Sequence, residues 1–568
     1  MKLSIKKLSL CIAIAGCMNY AHANNPVDLA NKENERLQQN IQERLKYEQQ
    51  QLLQSSKPPT RIEAAAPSIG TSDSGPCNDI QKIEVSGNHL LKNKALDSII
   101  SPYTNSCMNT HAIEGLMSQI TASYLNQGYV ATRVYLPEQD LKSGILILQI
   151  EEGKLTELKT TERAQGTLSL ATAFGFVKGK PLNLRDLEQA IDQINRLQSN
   201  NAKMDILAGE QPGESIVVFD NEPSKRLNGY FSYDNKGQDS TGENQAALGL
   251  SLDNPFGLND LINVSYNRSL PFNINRTDSY SASAMYVLPF SYNTLNLNAS
   301  RSEYDSTIDT GLNQLVSHGE TVTYSAKLDR LIHRGLNNQF RINAALTSKD
   351  TEAFLENIKL GVSSRKLSVL DLGLNYSDRL FTGLVNMNLG YAKGLKVFNA
   401  LEDASDLPAD MPKAQFEKLS YGISYLKGFN WLGQSFSLSS SFSGQQAFDP
   451  LYGSEQYSIG SLYSVRGFNQ NSLSGDHGYA FKNDLTLNKA YDINGTAVYA
   501  RHVLGLDYGK VDSKVNSNSV GELSSVSLST TFNVSNVSLE LIATQPIHQE
   551  NFMKKQSADF FFSTTVSF

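Results

Sequence analysis

From Asn228 to Phe568 the sequence alternates between apolar and polar residues, in segments of about ten separated by Gly, Asn, Asp and Ser clusters. Tyr280, Ala282, Ala284, Tyr286 and Leu288 form one such series. Leu295-Leu297-Ala299, Val322-Tyr324-Ala326-Leu328, Phe340-Ile342-Ala344-Leu346 and Val537-Leu539-Leu541-Ala543 are others, with Ser, Asn, Thr, Asp or Lys between the apolar positions. Period two over that length puts one face in an apolar medium and the other in a polar one, as in a membrane β-barrel strand. About sixteen segments can be counted, and an even number suits a closed antiparallel barrel. A soluble array of β-sandwiches has the same period. Tyr and Phe concentrated at segment ends, and the closing run Phe560-Phe562-Thr564-Val566-Phe568, favour the barrel over it.

The remaining composition agrees. Mean hydropathy is −0.33, and beyond the first twenty positions no apolar run is long enough for a spanning helix. The formal charge is −7, and −10 without the leader lysines Lys2, Lys6 and Lys7, so nucleic acid is not an expected partner. Residues 1–23 have a basic start, an apolar stretch from Leu8 to Met18, and Ala21-His22-Ala23. This order predicts an export signal peptide cleaved after Ala23. Ile14-Ala15-Gly16-Cys17 leaves lipoprotein cleavage open as an alternative. After cleavage at Ala23 only Cys77 and Cys107 of the four cysteines remain, and in an oxidising compartment they are expected to form one disulfide.

Between leader and barrel the chain divides three ways. In 24–55, Leu37, Ile41 and Leu45 recur every fourth residue on an otherwise polar, Gln- and Glu-rich helix. This predicts either a solvated spacer or a polar helix inside a wet channel. Pro, Ser, Ala and Gly make 56–76 a linker. Residues 77–152 and 153–223 each read as strand, two helices and two strands, an internal repeat in pattern; a strand over 80–85 opens the first, and the helices of the second are expected near Leu168 and over 184–198. Catalytic signatures are missing. The glycine-containing stretch 175–181 is one residue short of a phosphate loop and has Pro181 where Ser or Thr is needed. The eight histidines form no metal-binding pair. No enzyme activity, cofactor or metal is expected.

Four stretches carry a family resemblance. They are 454–468, containing Val465-Arg466-Gly467-Phe468; 128–139, Gly128 to Gln139; 182–189, Leu182 to Gln189; and 194–197, Ile194 to Leu197. Together they resemble the two-partner secretion transporters, the TpsB family, with closest likeness to CdiB, haemolysin-activator, ShlB and FhaC-type members. The resemblance implies a transmembrane antiparallel β-barrel of about sixteen strands at 224–568 and two periplasmic α+β POTRA domains at 77–152 and 153–223. It also implies that helix 24–55 lies in the lumen as a plug, with Phe568 as the C-terminal signal for the barrel-assembly machinery. The implied location is the outer membrane of a Gram-negative bacterium, in contact with its lipid. The implied partner is a large secreted TpsA-type exoprotein, carried unfolded without ATP; a contact-dependent inhibition toxin, a haemolysin or an adhesin would fit. A BamA-like insertase shares the Val-Arg-Gly-Phe signature but normally has more POTRA units. A passive porin or adhesin needs none.

One site can be anticipated in detail. The stretch 446–478 is the longest gap between barrel segments, and in the family it folds back into the lumen. Alternation on the strand around 499–510 turns Leu504, Leu506 and Tyr508 to lipid, and Val503, Gly505, Asp507 and Gly509 inward. The family's loop arginine pairs with an aspartate at the position of Asp507, so Val465, Arg466, Gly467, Phe468 and Asp507 are the expected lumen lock.

Overall fold

The structure, a computed structural model, describes residue 37 and residues 75–175, 179–270, 278–309, 314–514 and 521–568. The expected leader 1–23, nearly all of the expected helix 24–55 and most of the expected linker lie outside the described residues.

The first small unit is built on a strand, Ile145–Glu151, that buries every second residue. Leu146, Leu148 and Ile150 point to one face, where Leu116, Ile120 and Tyr124 of the helix Thr110–Asn126 cover them. That helix starts where Asn109 accepts a hydrogen bond from the Ala112 amide, 2.9 Å. The strand Lys82–Ser86 runs parallel to Ile145–Glu151, and Arg133–Tyr135 runs antiparallel on its other side. The second unit has the same plan: Lys154–Thr160 is parallel to Glu214–Asn221, and Ala202–Ala208 is antiparallel to it. The repeat expected from pattern is thus a repeat of topology.

Some elements differ from the sequence reading. The strand expected over 80–85 is two, because Asn78–Ile80 leaves the sheet to pair with Ser106–Met108 between the helices. Cys77 and Cys107 are joined across this small ribbon, 5.4 Å apart at Cα and 30 residues apart in sequence. Closing a loop of that size is worth about 3–4 kcal/mol in the chain-entropy picture. The helix expected over 184–198 ends at Asn195, and the one near Leu168 is the short Leu170–Phe174.

Among the described residues sixteen strands close into an antiparallel barrel, from Leu227–Asp234 to Asp559–Ser567; a two-residue strand, Ile358–Lys359, only extends one hairpin. The seam joins the sixteenth strand to the first, from Ser563 opposite Asp234 to Ser567 opposite Tyr230. Phe568 extends it through reciprocal backbone hydrogen bonds with Gly229, 2.9 and 3.0 Å. Its ring lies where a Gly229 side chain would be, 2.6 Å from an ideal Cβ. Strands reach 21 residues in Gln314–Arg334, well beyond the alternating segments. In Asn293–Asp309 the outward series Leu295, Leu297, Ala299 continues as Arg301, Glu303 and Asp305. Hydrogen bonding runs on where the lipid-facing pattern stops, so periodicity understates strand length.

One barrel end has short turns, and the second unit docks there. Asn494-Gly495, both at positive φ, makes the tight connection that a two-residue hairpin requires. The docking surface is the helix Leu184–Asn195. Arg334 at a strand end is buried and donates to Glu188 Oε2 (3.2 Å), Gln189 Oε1 (3.2 Å) and Asp192 Oδ2 (2.8 Å). Arg185 completes the chain by bonding Glu188 at 2.6 Å. Tyr292 donates to Asp186, the Ser291 amide to the Thr172 carbonyl, and the Ser199 amide to Asp253. The two units meet through two of the motif stretches: the Leu184 amide bonds the Gly128 carbonyl at 2.8 Å. Gly128 has φ +93°, and an ideal Cβ there would lie 2.4 Å from Asn183 Oδ1. Removing one member of a buried ion pair typically costs about 3–5 kcal/mol. Arg334→Ala is therefore expected to leave the barrel heat-modifiable but loosen the second unit. Distances between spin labels on that unit and on the barrel should broaden, and an unchanged distribution would count against a rigid dock.

Candidate functional site

The lumen is lined by the inward half of each strand. On Thr496–Asp512, Val503 and Asp507 are buried within while Leu504 and Leu506 are exposed outside. Into this space folds the connection between the eleventh strand, Gln434–Ala447, and the twelfth, His477–Ile493. It carries a short hairpin, Tyr457–Ile459 with Leu473–Gly475. Ile459, Val465, Phe468 and Leu473 pack on Ala480, Val511 and Leu523 of the inner wall. Val465 and Phe468 are fully buried, so these two positions of the motif are the loop's apolar foot. Gly467, at φ +96°, turns the chain between them and lies against Thr544 and Pro546. Asp476 ties the loop's base, accepting from the Leu451 and Lys514 amides, each at 2.8 Å.

Arg466 points to the wall between the twelfth and thirteenth strands. Its Nε donates to Asp507 Oδ2 at 2.6 Å and its Nη2 to Asp507 Oδ1 at 2.6 Å. The backbone amide of Arg466 also donates to Asp507 Oδ2, 3.1 Å. The structure therefore brings together the two residues singled out in the sequence, in a two-pronged geometry that only a guanidinium supplies. It adds a third. Asp484, on the neighbouring strand, accepts from Nη2 at 2.7 Å. Asp484 is directly opposite Gly505 in the ladder. Alternation on its own strand already turned it inward with Lys482 and Thr486, and that signal was available in the sequence.

The loop's earlier limb is fastened elsewhere, which the sequence reading missed. Glu455 is buried on the turn Gly453–Glu455. Its Oε1 accepts from Lys349 Nζ at 2.8 Å and its Oε2 from Lys418 Nζ at 3.0 Å. Burial alone would raise this carboxyl, but the two lysines outweigh it and hold its pKa down at about 2. The Tyr452 ring faces the Arg365 guanidinium at 4.3 Å. Beyond the motif, Asn469 exchanges hydrogen bonds with the connection between the first two strands, to the Gly237 carbonyl (2.9 Å) and from Gln238 (3.2 Å). Leu37 is helical and buried, lining one cavity with Gly237, Gln238, Ser461, Tyr463 and Asn469. No other residue of 24–55 is described.

Gly505 sits beside the fork with no space to spare. An ideal Cβ there would lie 2.3 Å from Arg466 Nη2 and 2.6 Å from Cζ. Gly505→Ala is expected to push the guanidinium off its partners while leaving a heat-modifiable barrel. Limited proteolysis should then cut 448–476 several times faster than in the parent; equal rates would mean that the arginine does not hold the loop.

With this geometry in view, comparison with known proteins is informative. Residues 213–532 match the family described as haemolysin secretion/activation protein ShlB/FhaC/HecB. Residues 79–153 match a ShlB-type POTRA domain, and 154–208 a further POTRA domain. The second sheet needs its central strand Glu214–Asn221, so that domain structurally extends past its match. The outer membrane transporter CdiB of Dickeya dadantii (strain 3937) is 35% identical over 411 residues, covering 72% of each chain. The hemolysin transporter protein ShlB of Serratia marcescens is 30% identical over 449 residues, covering 79% of this chain and 78% of that one. The solved structure of CdiB from Escherichia coli superposes with a TM-score of 0.84 at 30% identity, covering 94% of this chain and 98% of the other. A sixteen-strand barrel, two POTRA domains and a motif-bearing loop folded into the lumen accompany that similarity, and the chain belongs to the ShlB/FhaC/HecB family of two-partner secretion transporters of the outer membrane.

Proposed function

We propose that this transporter captures an unfolded large exoprotein in the periplasm through its POTRA domains and passes it through the barrel to the cell surface without ATP. Relatives are named as CdiB transporters and as hemolysin transporters, so a contact-dependent inhibition toxin or a haemolysin is the cargo class in view, with an adhesin as a third. Capture is served by the first POTRA sheet. Its strand order leaves Lys82–Ser86 and Arg133–Tyr135 as edges. Tyr135, Leu136, Ile145 and Ile147 are exposed there. An extended peptide adds to such an edge through main-chain hydrogen bonds, which reads backbone more than sequence. Cargo folding outside then supplies direction, because a folded chain cannot return.

The observation that carries the reading is the fork of Arg466 on Asp507, braced by Asp484. A transporter must stay sealed at rest and open for cargo, and a loop fastened across the lumen by a few charged bonds meets both needs. The helix 24–55 is proposed as the second closure, supported by buried, helical Leu37 against the loop. The barrel's apolar outer face meets lipid, and Phe568 serves assembly machinery during insertion.

Two experiments test this. Arg466→Ala is expected to assemble normally but release at least about tenfold less cargo into the medium per outer-membrane transporter. Arg466→Lys should rescue only partly, since an ammonium lacks the fork. Wild-type secretion from Arg466→Ala would defeat the proposal. Deleting 26–55 should give a folded barrel of larger single-channel conductance in planar bilayers; unchanged conductance would make the helix a spacer.

A further inference from the structure

The loop 448–476 is fastened to two different walls of the lumen by charges of opposite sign. At its tip a loop cation, Arg466, enters a pair of barrel anions on the twelfth and thirteenth strands. At its first limb a loop anion, Glu455, enters a pair of barrel cations. Lys349 comes from the seventh strand, Gln339–Leu355, and Lys418 from the tenth, Glu417–Trp431. Lys418 Nζ reaches the Glu455 carbonyl too, at 2.8 Å, and Lys349 Nζ the Ser454 carbonyl at 3.4 Å. Gln445, at the end of the eleventh strand, also donates to the Glu455 carbonyl, 3.1 Å. The limb therefore has side-chain and main-chain attachments to three strands. The tip is held by the Arg466 side chain and amide, by the apolar foot, by the Tyr463 carbonyl, which accepts from Lys482 Nζ at 3.0 Å, and by Asn469 on the connection between the first two strands.

Breaking the Arg466 fork removes the buried ion pairing at the tip, leaving hydrogen bonds and the apolar foot there, while the limb keeps its charged seat. A charge-for-charge attachment at each end also prevents exchange, because the acidic pocket repels Glu455 and the basic pocket repels Arg466. We infer that Glu455, held by Lys349 and Lys418, is a second lock and the positioning residue of the gate: it anchors the limb about which the loop tip swings during translocation. This rests on the loop-gate reading above. It adds that the two ends behave differently, one released and one retained.

Paired cysteines separate the two ends in the full-length transporter. Glu455→Cys with Lys418→Cys removes the charged lock and, on oxidation, replaces it by a bond. Before oxidation, secreted cargo per transporter should fall at least about fivefold and channel openings should become more frequent. After oxidation both should return to within about twofold of the parent, because the limb does not need to leave. Arg466→Cys with Asp507→Cys should behave oppositely, with secretion abolished on oxidation. Charge reversal gives a second readout: Glu455→Lys is expected to lose secretion, and adding Lys349→Glu and Lys418→Glu to restore most of it, which a merely structural side chain would not do. The inference is overturned if the 455–418 bond blocks secretion as fully as the 466–507 bond, or if Glu455→Cys secretes at the parent level without oxidation. Secretion through an oxidised 466–507 pair would instead remove the loop-gate reading itself. If the 455–418 pair does not assemble, or assembles without forming its disulfide, the charge-reversed triple decides alone: assembled but silent, it overturns the second lock.

Discussion

A sheet that crosses a bilayer cannot leave backbone groups unpaired, and here that obligation is met by joining the sixteenth strand to the first. Closure has consequences for every other part. With no edge left, each strand has only two environments, lipid and lumen, and its side chains must alternate between them. The lumen side is polar, so anything lodged inside must be held largely by hydrogen bonds and charges. The apolar foot of Val465 and Phe468 is confined to one place where Ala480, Val511 and Leu523 interrupt the polar lining.

Ion pairs on this protein divide by environment. On the outer surface Arg301 meets Glu320 at 3.0 Å with its side chain about half exposed, a setting in which a pair contributes roughly 0–1 kcal/mol. The pair of Arg466 with Asp507 is buried, the carboxylate almost entirely. Desolvation makes such a pair a weak net source of stability but a demanding one: losing one partner leaves an uncompensated charge. That asymmetry suits a gate. The loop has one well-defined seat, and leaving it requires a replacement for the bonds given up; under the proposed function an arriving polypeptide backbone would provide it. The Arg334 cluster follows the same logic at the other end of the barrel. There it fixes the POTRA helix Leu184–Asn195 against the strand ends.

Much of this was legible in the residues. Period two gave the strands, a count of about sixteen and the inward direction of Asp507, because side-chain direction in a strand is a matter of counting; the aromatic segment ends favoured a barrel over a sandwich. Periodicity served less well where polar residues occupy both faces. The strand Asn293–Asp309 outruns its apolar series because Arg301, Glu303 and Asp305 face outward above the lipid. It failed in the first POTRA domain, where 80–85 reads as one strand and a break at Gln81 sends its two halves to different partners.

What the sequence by itself determined was direction: which side of each strand is wet, which loop is too long to be a turn, and which charged residues therefore lie inside. Which inward charges meet was decided only by tertiary structure. Asp484 and Asp507 share Arg466 because the ladder sets Asp484 opposite Gly505, whose missing side chain admits the guanidinium. Glu455 finds Lys349 and Lys418 although neither is near it in the chain. Their strands reach the same part of the lumen only after the sheet curls shut, and a contact produced by closure leaves no periodic trace in the sequence.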